Sequence, residues 1–334
     1  MDLFHSYLSQ RRHYTRVGSA SSTILEIILG VPQGSVLGPL LFNVFINDLL
    51  ILCKEDICNF ADDNTMFVCR PNLLDVLSRI DREIAFVINW FLNNGMVANP
   101  DKFQVIFLGT GNQEIKIKIG SCTIENSSEV KLLGVTIDSK LSFFPHILNI
   151  CGKATAKIKA LTRIRNCLDQ TQADSLYFSH IMAPLNYCPL VWMFCSKQAF
   201  NLLNRTHHRA LKARFNNYSA ILEDLLLFSS SPHIHSRNLA LLVREVYKTL
   251  NFLNPKIMWN TFELKEPNKY ELRRGRNLFV PKARSSRAVN SFDFRAAMAW
   301  NNLPNDVKNA SSLTLFDNLL KTQNIYCKCN NCSN

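Results

Sequence analysis

Between Ile57 and Cys69 two short apolar runs flank the polar stretch Ala61-Asp62-Asp63-Asn64, and this pattern constrains the fold more than any other. Acidic and asparagine residues between short apolar segments mark a tight β-hairpin. Helices are expected on both sides of it. Upstream, Leu40-Leu41, Val44-Phe45 and Asp48-Leu49 follow helical spacing, and Gly30-Val31-Pro32-Gln33-Gly34-Ser35 is a turn feeding that helix. Downstream, Leu73, Leu77, Ile80, Ile84, Val87, Ile88 and Phe91 recur every three or four residues, and Gly95 supplies the stop.

The rest of the chain divides more softly. Leu3 to Leu29 reads as a helix end followed by strand-like segments, carrying Arg11, Arg12, His13 and Arg16. Gln104–Leu108 carries a strand signal. Ile115, Ile117 and Ile119 alternate with Lys116 and Lys118, and Val130–Ile137 is a further apolar run. From His146 onward the pattern is mostly helical, with Lys153, Lys157, Lys159, Arg163 and Arg165 decorating one helix. No long repeat or low-complexity tract is present. The expected class is α+β: antiparallel strands around the Asp62 hairpin with helices on one face, then a helical region.

A formal net charge of +12 over 334 residues favours a polyanionic partner, and nucleic acid and anionic membrane both qualify. The longest apolar run, Val36–Leu52, is broken by Pro39, Asn43, Asn47 and Asp48, whereas a bilayer span needs ~20 mostly apolar residues. Met1 to Gln10 contains Asp2 and His5 and lacks the apolar core of a secretory signal. Eleven cysteines, an odd number without framework spacing, fit a reducing compartment. The expectation is an intracellular chain, cytoplasmic or nuclear, with no membrane partner.

Adjacent carboxylates at a hairpin turn suit a hard divalent cation, because magnesium takes oxygen ligands and uses one or two carboxylates beside phosphate and water. Asp62 is the stronger metal candidate. Side chains alternate along a strand, so Asp63 faces the same ion only if the turn is distorted. Acidic pairs are also ordinary turn residues, and the pair alone does not separate the two readings.

The surrounding segments do separate them. Gly30-Val31-Pro32-Gln33-Gly34-Ser35-Val36-Leu37-Gly38-Pro39, then LLFNVFINDL from Leu40 to Leu49, then Phe60-Ala61-Asp62-Asp63 resemble successive motifs of reverse transcriptases, in particular the jockey-like branch of non-LTR retrotransposons. Asn99-Pro100-Asp101-Lys102 and Leu132-Leu133-Gly134-Val135-Thr136-Ile137-Asp138 continue the resemblance in the family's order. Tyr187-Cys188-Pro189-Leu190-Val191-Trp192 and Asn204 to Ala210 extend it further.

That resemblance implies two-metal phosphoryl transfer with Mg2+, or Mn2+ in its place, on an RNA template, a DNA primer and dNTPs. It assigns Asp62 and Asp63 to metal binding and catalysis, and Lys102 to charge or proton donation towards pyrophosphate. Pro32, Gln33, Gly34 and Ser35 would form the nucleotide and template pocket, and Lys131, Leu132, Leu133 and Gly134 the primer grip. It implies a palm remnant over 1–138, a helical thumb-like or connection region over 139–250, and a basic C-terminal extension with a Cys-rich tail over 251–334. The family also carries an earlier segment, A-F-D-x-V-x-H, ahead of the stretch matched by Tyr7 to Tyr14. Asp2, the only acidic residue before Glu26, sits in Met1-Asp2-Leu3-Phe4-His5 and does not match it. Fingers and endonuclease are likewise expected to be missing. The chain is therefore expected to be a reverse-transcriptase fragment inactive by itself, or alternatively a non-catalytic RNA- or DNA-binding protein derived from a retroelement.

Other candidate sites are weaker. Cys327, Cys329 and Cys332 lack a following histidine to complete four ligands, so zinc is not expected there. His207-His208 and His233-Ile234-His235 read as surface or helix-face residues, and Tyr187, Trp192 and Phe194 as core. Arg273, Arg274, Arg276, Lys282, Arg284, Arg287 and Arg295, interleaved with Phe279, Phe292 and Phe294, form a candidate nucleic-acid contact, with a solvated basic face as the alternative.

Overall fold

The structure, a computed structural model, describes residues 2–109, 113–119, 122–229, 231–265, 276–323, 325 and 329. It is an α+β architecture of helices and small antiparallel ladders in two compact units: residues 1–105 with 112–127, and residues 106–111 with 128–334.

The first unit begins with α1 (Asp2–Leu8) and a nested arm in which β1 (Arg11–His13) pairs with β4 (Leu25–Ile27) and β2 (Arg16–Val17) with β3 (Ala20–Ser21). Next come α2 (Leu37–Leu52), the hairpin β5 (Asp56–Phe60) and β6 (Asp63–Phe67), and α3 (Leu73–Asn93). β7 (Lys116–Ile119) and β8 (Cys122–Glu125) close the unit. Alternation in the hairpin sends Ile57 and Met66 to one face, where they meet buried Ile46, Leu49 and Val87 from α2 and α3. α3 forms where its apolar period predicts. Asn72 Oδ1 accepts from the Leu74 amide at 2.9 Å to cap its start. Its end closes through Gly95, φ +70°, with the Gly95 amide donating to Leu92 O and the Met96 amide to Phe91 O. α2 leaves Leu40, Val44, Ile51 and Leu52 each more than half exposed, so this unit's core is small.

The second unit starts with β9 (Glu129–Leu132) and β10 (Val135–Asp138). α4 (Phe144–Ile164), α5 (Gln170–Leu176), α6 (Lys197–Phe215), α7 (Leu222–Phe228) and α8 (Ile234–Leu250) follow, then α9 (Phe292–Asn301) and α10 (Leu313–Leu320). One buried cluster joins Ile147, Ala154 and Leu161 of α4 to Leu203, Ala210 and Leu211 of α6. A second runs across residue 250 and packs Leu242 and Val246 of α8 against Trp300 and Phe316. Tyr247 stacks on Phe316 at 4.4 Å, and Trp300 Nε1 donates to Arg276 O at 2.6 Å.

Several expectations are corrected. A continuous antiparallel sheet does not form among the described residues, because every ladder has only two strands. Gln104–Leu108 is not a strand, and its Val105 carbonyl accepts one amide, from Ser127, without a ladder partner. Val130–Ile137 is not one run. Leu133 at φ +45° and Gly134 at φ +85° fold it into a two-residue hairpin turn of the primed type. Arg165 does not decorate a helix surface: it is buried, and its guanidinium donates to Arg214 O, Leu168 O and Gln170. His207 is buried with Nε2 3.1 Å from the Tyr177 hydroxyl, and His235 is buried too. Tyr187 is half exposed rather than core, and its hydroxyl donates to Leu133 O at 2.7 Å. Trp192 is core as expected.

Candidate active site

The Asp62 hairpin is fastened at its base. Glu55, just ahead of β5, is buried and accepts from Arg70 Nη2 at 2.7 and 3.0 Å and from Arg79 Nη1 at 3.2 Å. Arg70 follows β6 and Arg79 lies in α3, so one carboxylate ties both strands to the helix. Nearer the tip, Asn59 Nδ2 donates to Asn64 Oδ1 at 2.7 Å across the ladder and holds the register. Phe60 pairs with Asp63, which leaves Ala61 and Asp62 as the loop. Ala61 has φ +54°, a left-handed conformation that costs a residue with a Cβ roughly 1–2 kcal/mol. Strain is thus held where the acidic residues project.

Asp62 sits in the turn, and Asp63 lies on the face opposite Ile57 and Met66, alongside exposed Phe60 and Phe67. Both aspartates are exposed, and among the described residues neither carboxylate has a hydrogen-bond or ion-pair partner. Unpartnered oxygen donors at a fixed tip match what a magnesium ion takes from protein, one or two carboxylates with phosphate and water supplying the rest. Among the described residues no third histidine, cysteine or acid joins them in a ligand group.

The loop ahead of α2 is shaped by Ser35. Its Oγ accepts from the Tyr7 hydroxyl, donates to Pro32 O at 2.8 Å and accepts from the Gly38 amide at 3.0 Å. A Cβ on Gly38 would meet Ser35 Oγ at 3.0 Å and Pro32 O at 3.1 Å, so a larger residue there would have to push the turn aside by a few tenths of an ångström. Gly34 adopts φ +81° with open space where a Cβ would project, and Gln33 is exposed beside it. Lys102 closes a short 3-10 turn capped by Asn99, whose Oδ1 accepts from the Asp101 amide at 3.0 Å; the lysine is exposed. No hydrogen bond among the described residues links Gln33, Gly34 or Lys102 to the aspartates. Glu55, Arg70, Arg79, Tyr7 and Gly38 carry structural roles that the sequence reading did not assign.

In the second unit, Lys131 and Leu132 end β9, and Leu133 and Gly134 are the turn under Tyr187, whose ring stands 3.3 Å from where a Cβ on Gly134 would be. Asp138 accepts from the Ser142 and Phe143 amides at 3.0 and 2.7 Å and so caps the approach to α4. Thr136 donates its amide to His146 Nδ1, and burial holds that imidazole below its ordinary pKa. Of the basic candidates, Lys282, Arg284 and Arg287 are exposed. Arg276 donates to Leu250 O and Asn251 Oδ1 at the end of α8. Arg295 is buried against the rings of Phe194 and Phe294, which makes it a packing residue rather than a surface contact. Arg273, Arg274, Cys327 and Cys332 lie outside the described residues.

Residues 2–137 match the family described as reverse transcriptase (RNA-dependent DNA polymerase). That segment includes the hairpin. Among the proteins the chain is similar to are polymerases of non-LTR retrotransposons, jockey among them. It is 27% identical over 219 residues to the RNA-directed DNA polymerase from mobile element jockey of Drosophila melanogaster, covering 62% of this chain and 24% of that protein. It is 26% identical over 226 residues to the probable RNA-directed DNA polymerase from transposon BS of the same species, with coverage of 62% and 24%. To the Pol polyprotein from the type-1 retrotransposable element R1 of Bradysia coprophila it is 26% identical, with coverage of 64% and 22%. The chain thus spans about a quarter of the length of these curated relatives. No solved structure matches it. Among the described residues no helix is long and apolar enough to cross a membrane.

Proposed function

We propose that this chain is a portion of a non-LTR retrotransposon reverse transcriptase whose hairpin carboxylates hold magnesium during RNA-templated DNA synthesis, and that residues 1–334 by themselves do not polymerise. The observation that carries the reading is the pair of exposed, unpartnered carboxylates on a base-fastened hairpin inside the matched segment. In this reading residues 1–138 are palm, 139–250 a thumb-like region and 251–334 a basic extension. RNA template, DNA primer and dNTPs are the partners.

Asp62 would hold the ion, with Asp63 beside it. Bound magnesium would stabilise charge on the attacking and departing oxygens. Pro32, Gln33, Gly34 and Ser35 would floor the nucleotide pocket, where the bare Gly34 backbone leaves room for a base or sugar. Lys102, uncommitted to any acid among the described residues, would bring positive charge to the departing pyrophosphate. Lys131 to Gly134 would seat the primer end. Lys282, Arg284 and Arg287, with Arg273, Arg274 and Arg276, would meet phosphates of the nucleic-acid backbone.

Two neighbouring carboxylates of opposite strand parity do not supply ligands for two ions, and a lost ligand costs several kcal/mol of transition-state stabilisation. A primer-extension assay on an RNA template with magnesium or manganese tests this for the 334-residue chain. No incorporation above background is expected, and incorporation that Asp62→Ala abolishes contradicts the proposal. A second reading, a non-catalytic nucleic-acid binder, is favoured by α4, where Lys153, Lys157, Lys159 and Arg163 are exposed and no acidic residue occurs. Salt-dependent RNA binding without incorporation is its signature.

A further inference from the structure

The segment Tyr187-Cys188-Pro189-Leu190-Val191-Trp192 has no part in the chemistry described so far, yet it reaches the Leu133-Gly134 turn across 54 residues of sequence. The Tyr187 hydroxyl donates to Leu133 O at 2.7 Å, and its ring lies where a Cβ on Gly134 would project. We propose that Tyr187 is a positioning residue for the primer end, holding the β9–β10 turn in place against the helical cluster. The inference rests on the reading of Lys131 to Gly134 as the primer grip.

The turn requires support from outside itself. β9 and β10 form a ladder of two strands with four residue pairs, and a lone two-stranded hairpin is marginal in water. Leu133 is left-handed at φ +45°, a conformation that a residue with a Cβ adopts only when its surroundings impose it. Tyr187 supplies that constraint at the tip, by a hydrogen bond on one residue of the turn and ring contact with the other.

Tyr187 is itself anchored. Pro189 opens the short helix Pro189–Trp192, and Cys188 ahead of it is left-handed at φ +45°. The chain doubles back there, and the Trp192 indole N–H donates to Tyr187 O at 2.9 Å. Trp192 is fully buried in the cluster of Ile147, Ala154 and Leu203. The same indole stands 6.2 Å from the ring of buried His146, whose Nδ1 accepts from the Thr136 amide further along β10. One core tryptophan thus stands behind both the tip and the far strand of the hairpin. Tyr187 is half exposed and Leu133 and Gly134 are exposed, so the braced turn faces solvent, where a primer can meet it. Displacing a seat by about 1 Å is enough to spoil alignment of a reacting end.

The test uses the full 334-residue chain and an RNA template annealed to a DNA primer whose terminal nucleotide is a photoreactive thiothymidine. Near-ultraviolet light crosslinks that nucleotide to what it touches, and peptide mass spectrometry locates the site. In wild type the crosslink should fall within Lys131 to Gly134. At saturating duplex Tyr187→Phe should lower its yield there by roughly two- to tenfold, the equilibrium weight of one hydrogen bond. Tyr187→Ala should lower it further and scatter the remainder. Affinity for the duplex should stay within about twofold of wild type in Tyr187→Phe, because phosphate contacts made elsewhere set it. Tyr218→Phe, at an exposed tyrosine of the same unit, should change neither readout. A wild-type crosslink within Lys131 to Gly134 that both Tyr187 variants leave undiminished overturns the proposal and leaves the primer grip standing. Loss of crosslink in Tyr187→Phe that only parallels loss of duplex affinity overturns it too, since that is a purely structural role. A wild-type chain that binds no duplex, or crosslinks only elsewhere, removes the primer-grip reading and the proposal with it.

Discussion

Replacing Glu55 by alanine should loosen the hairpin that carries Asp62 without unfolding the second unit. The Glu55 side chain is 5% exposed and binds two guanidiniums, Arg70 at 2.7 Å and Arg79 at 3.2 Å, which are 31% and 37% exposed. Orphaning a fully buried ion costs about 3–5 kcal/mol, but these arginines can turn to water and keep Asp75 at 3.8 and 3.7 Å. Exposed pairs are worth roughly 0.2–1 kcal/mol each. Between these limits, and with the volume of a buried side chain vacated, the loss is about 2 kcal/mol. At 1.4 kcal/mol per decade that is about a 30-fold faster opening. Amide hydrogen exchange over residues 56–67, read by mass spectrometry, measures it directly. Glu55→Gln, which keeps shape and an acceptor but no charge, should fall between wild type and Glu55→Ala. A change below about twofold, or an equal rise in α8, refutes the assignment of this carboxylate as the hairpin's anchor.

Two further outcomes follow from the second unit. Gly134→Ala should cost about 1–2 kcal/mol by thermal denaturation, because the position needs φ +85° and a Cβ there meets the Tyr187 ring at 3.3 Å; an unchanged midpoint contradicts the turn. His207 is pushed down to about 3 by burial first, with the neighbouring Arg237 and histidine charges adding to it. Its unfolded form therefore binds a proton near pH 6.5 that the folded form refuses. Stability should be full above that pH and fall towards pH 3, by at most about 1.4 kcal/mol per pH unit from this group. His207→Gln should flatten that acid limb, and an identical pH profile counts against the assignment.

The hairpin and α3 were legible because their evidence is local. Apolar alternation, an acidic turn, an Asn72 cap and a Gly95 stop all fall within a few residues of the elements they define. The Leu133-Gly134 turn was hidden because leucine rarely takes a left-handed conformation, and Tyr187, which steadies it, is 54 residues away. Gln104–Leu108 has strand chemistry but no strand to pair with, a condition that composition cannot reveal. Arg165 looked like helix decoration because its partner is the carbonyl of Arg214, 49 residues on. The same holds for Glu55 with Arg70 and Arg79. Of the candidate site, the acidic tip and the Gly30 to Ser35 turn could be read from spacing and resemblance. The network that holds the tip in place could not, since ion pairs 15 and 24 residues apart leave no periodic trace.

Cleavage of the chain by bound Fe2+ is the sharpest test of the tip as a metal site. Ferrous iron standing in for magnesium reduces added hydrogen peroxide to hydroxide and hydroxyl radical, ascorbate returns the ferric ion to ferrous, and the radical cuts the backbone beside it. Cuts should cluster around residues 60–64, fade as magnesium is added, and vanish in Asp62→Ala while Glu125→Ala, an exposed acid on another ladder, keeps them. Uniform cutting, or a cluster at residues 60–64 that survives Asp62→Ala, contradicts the account.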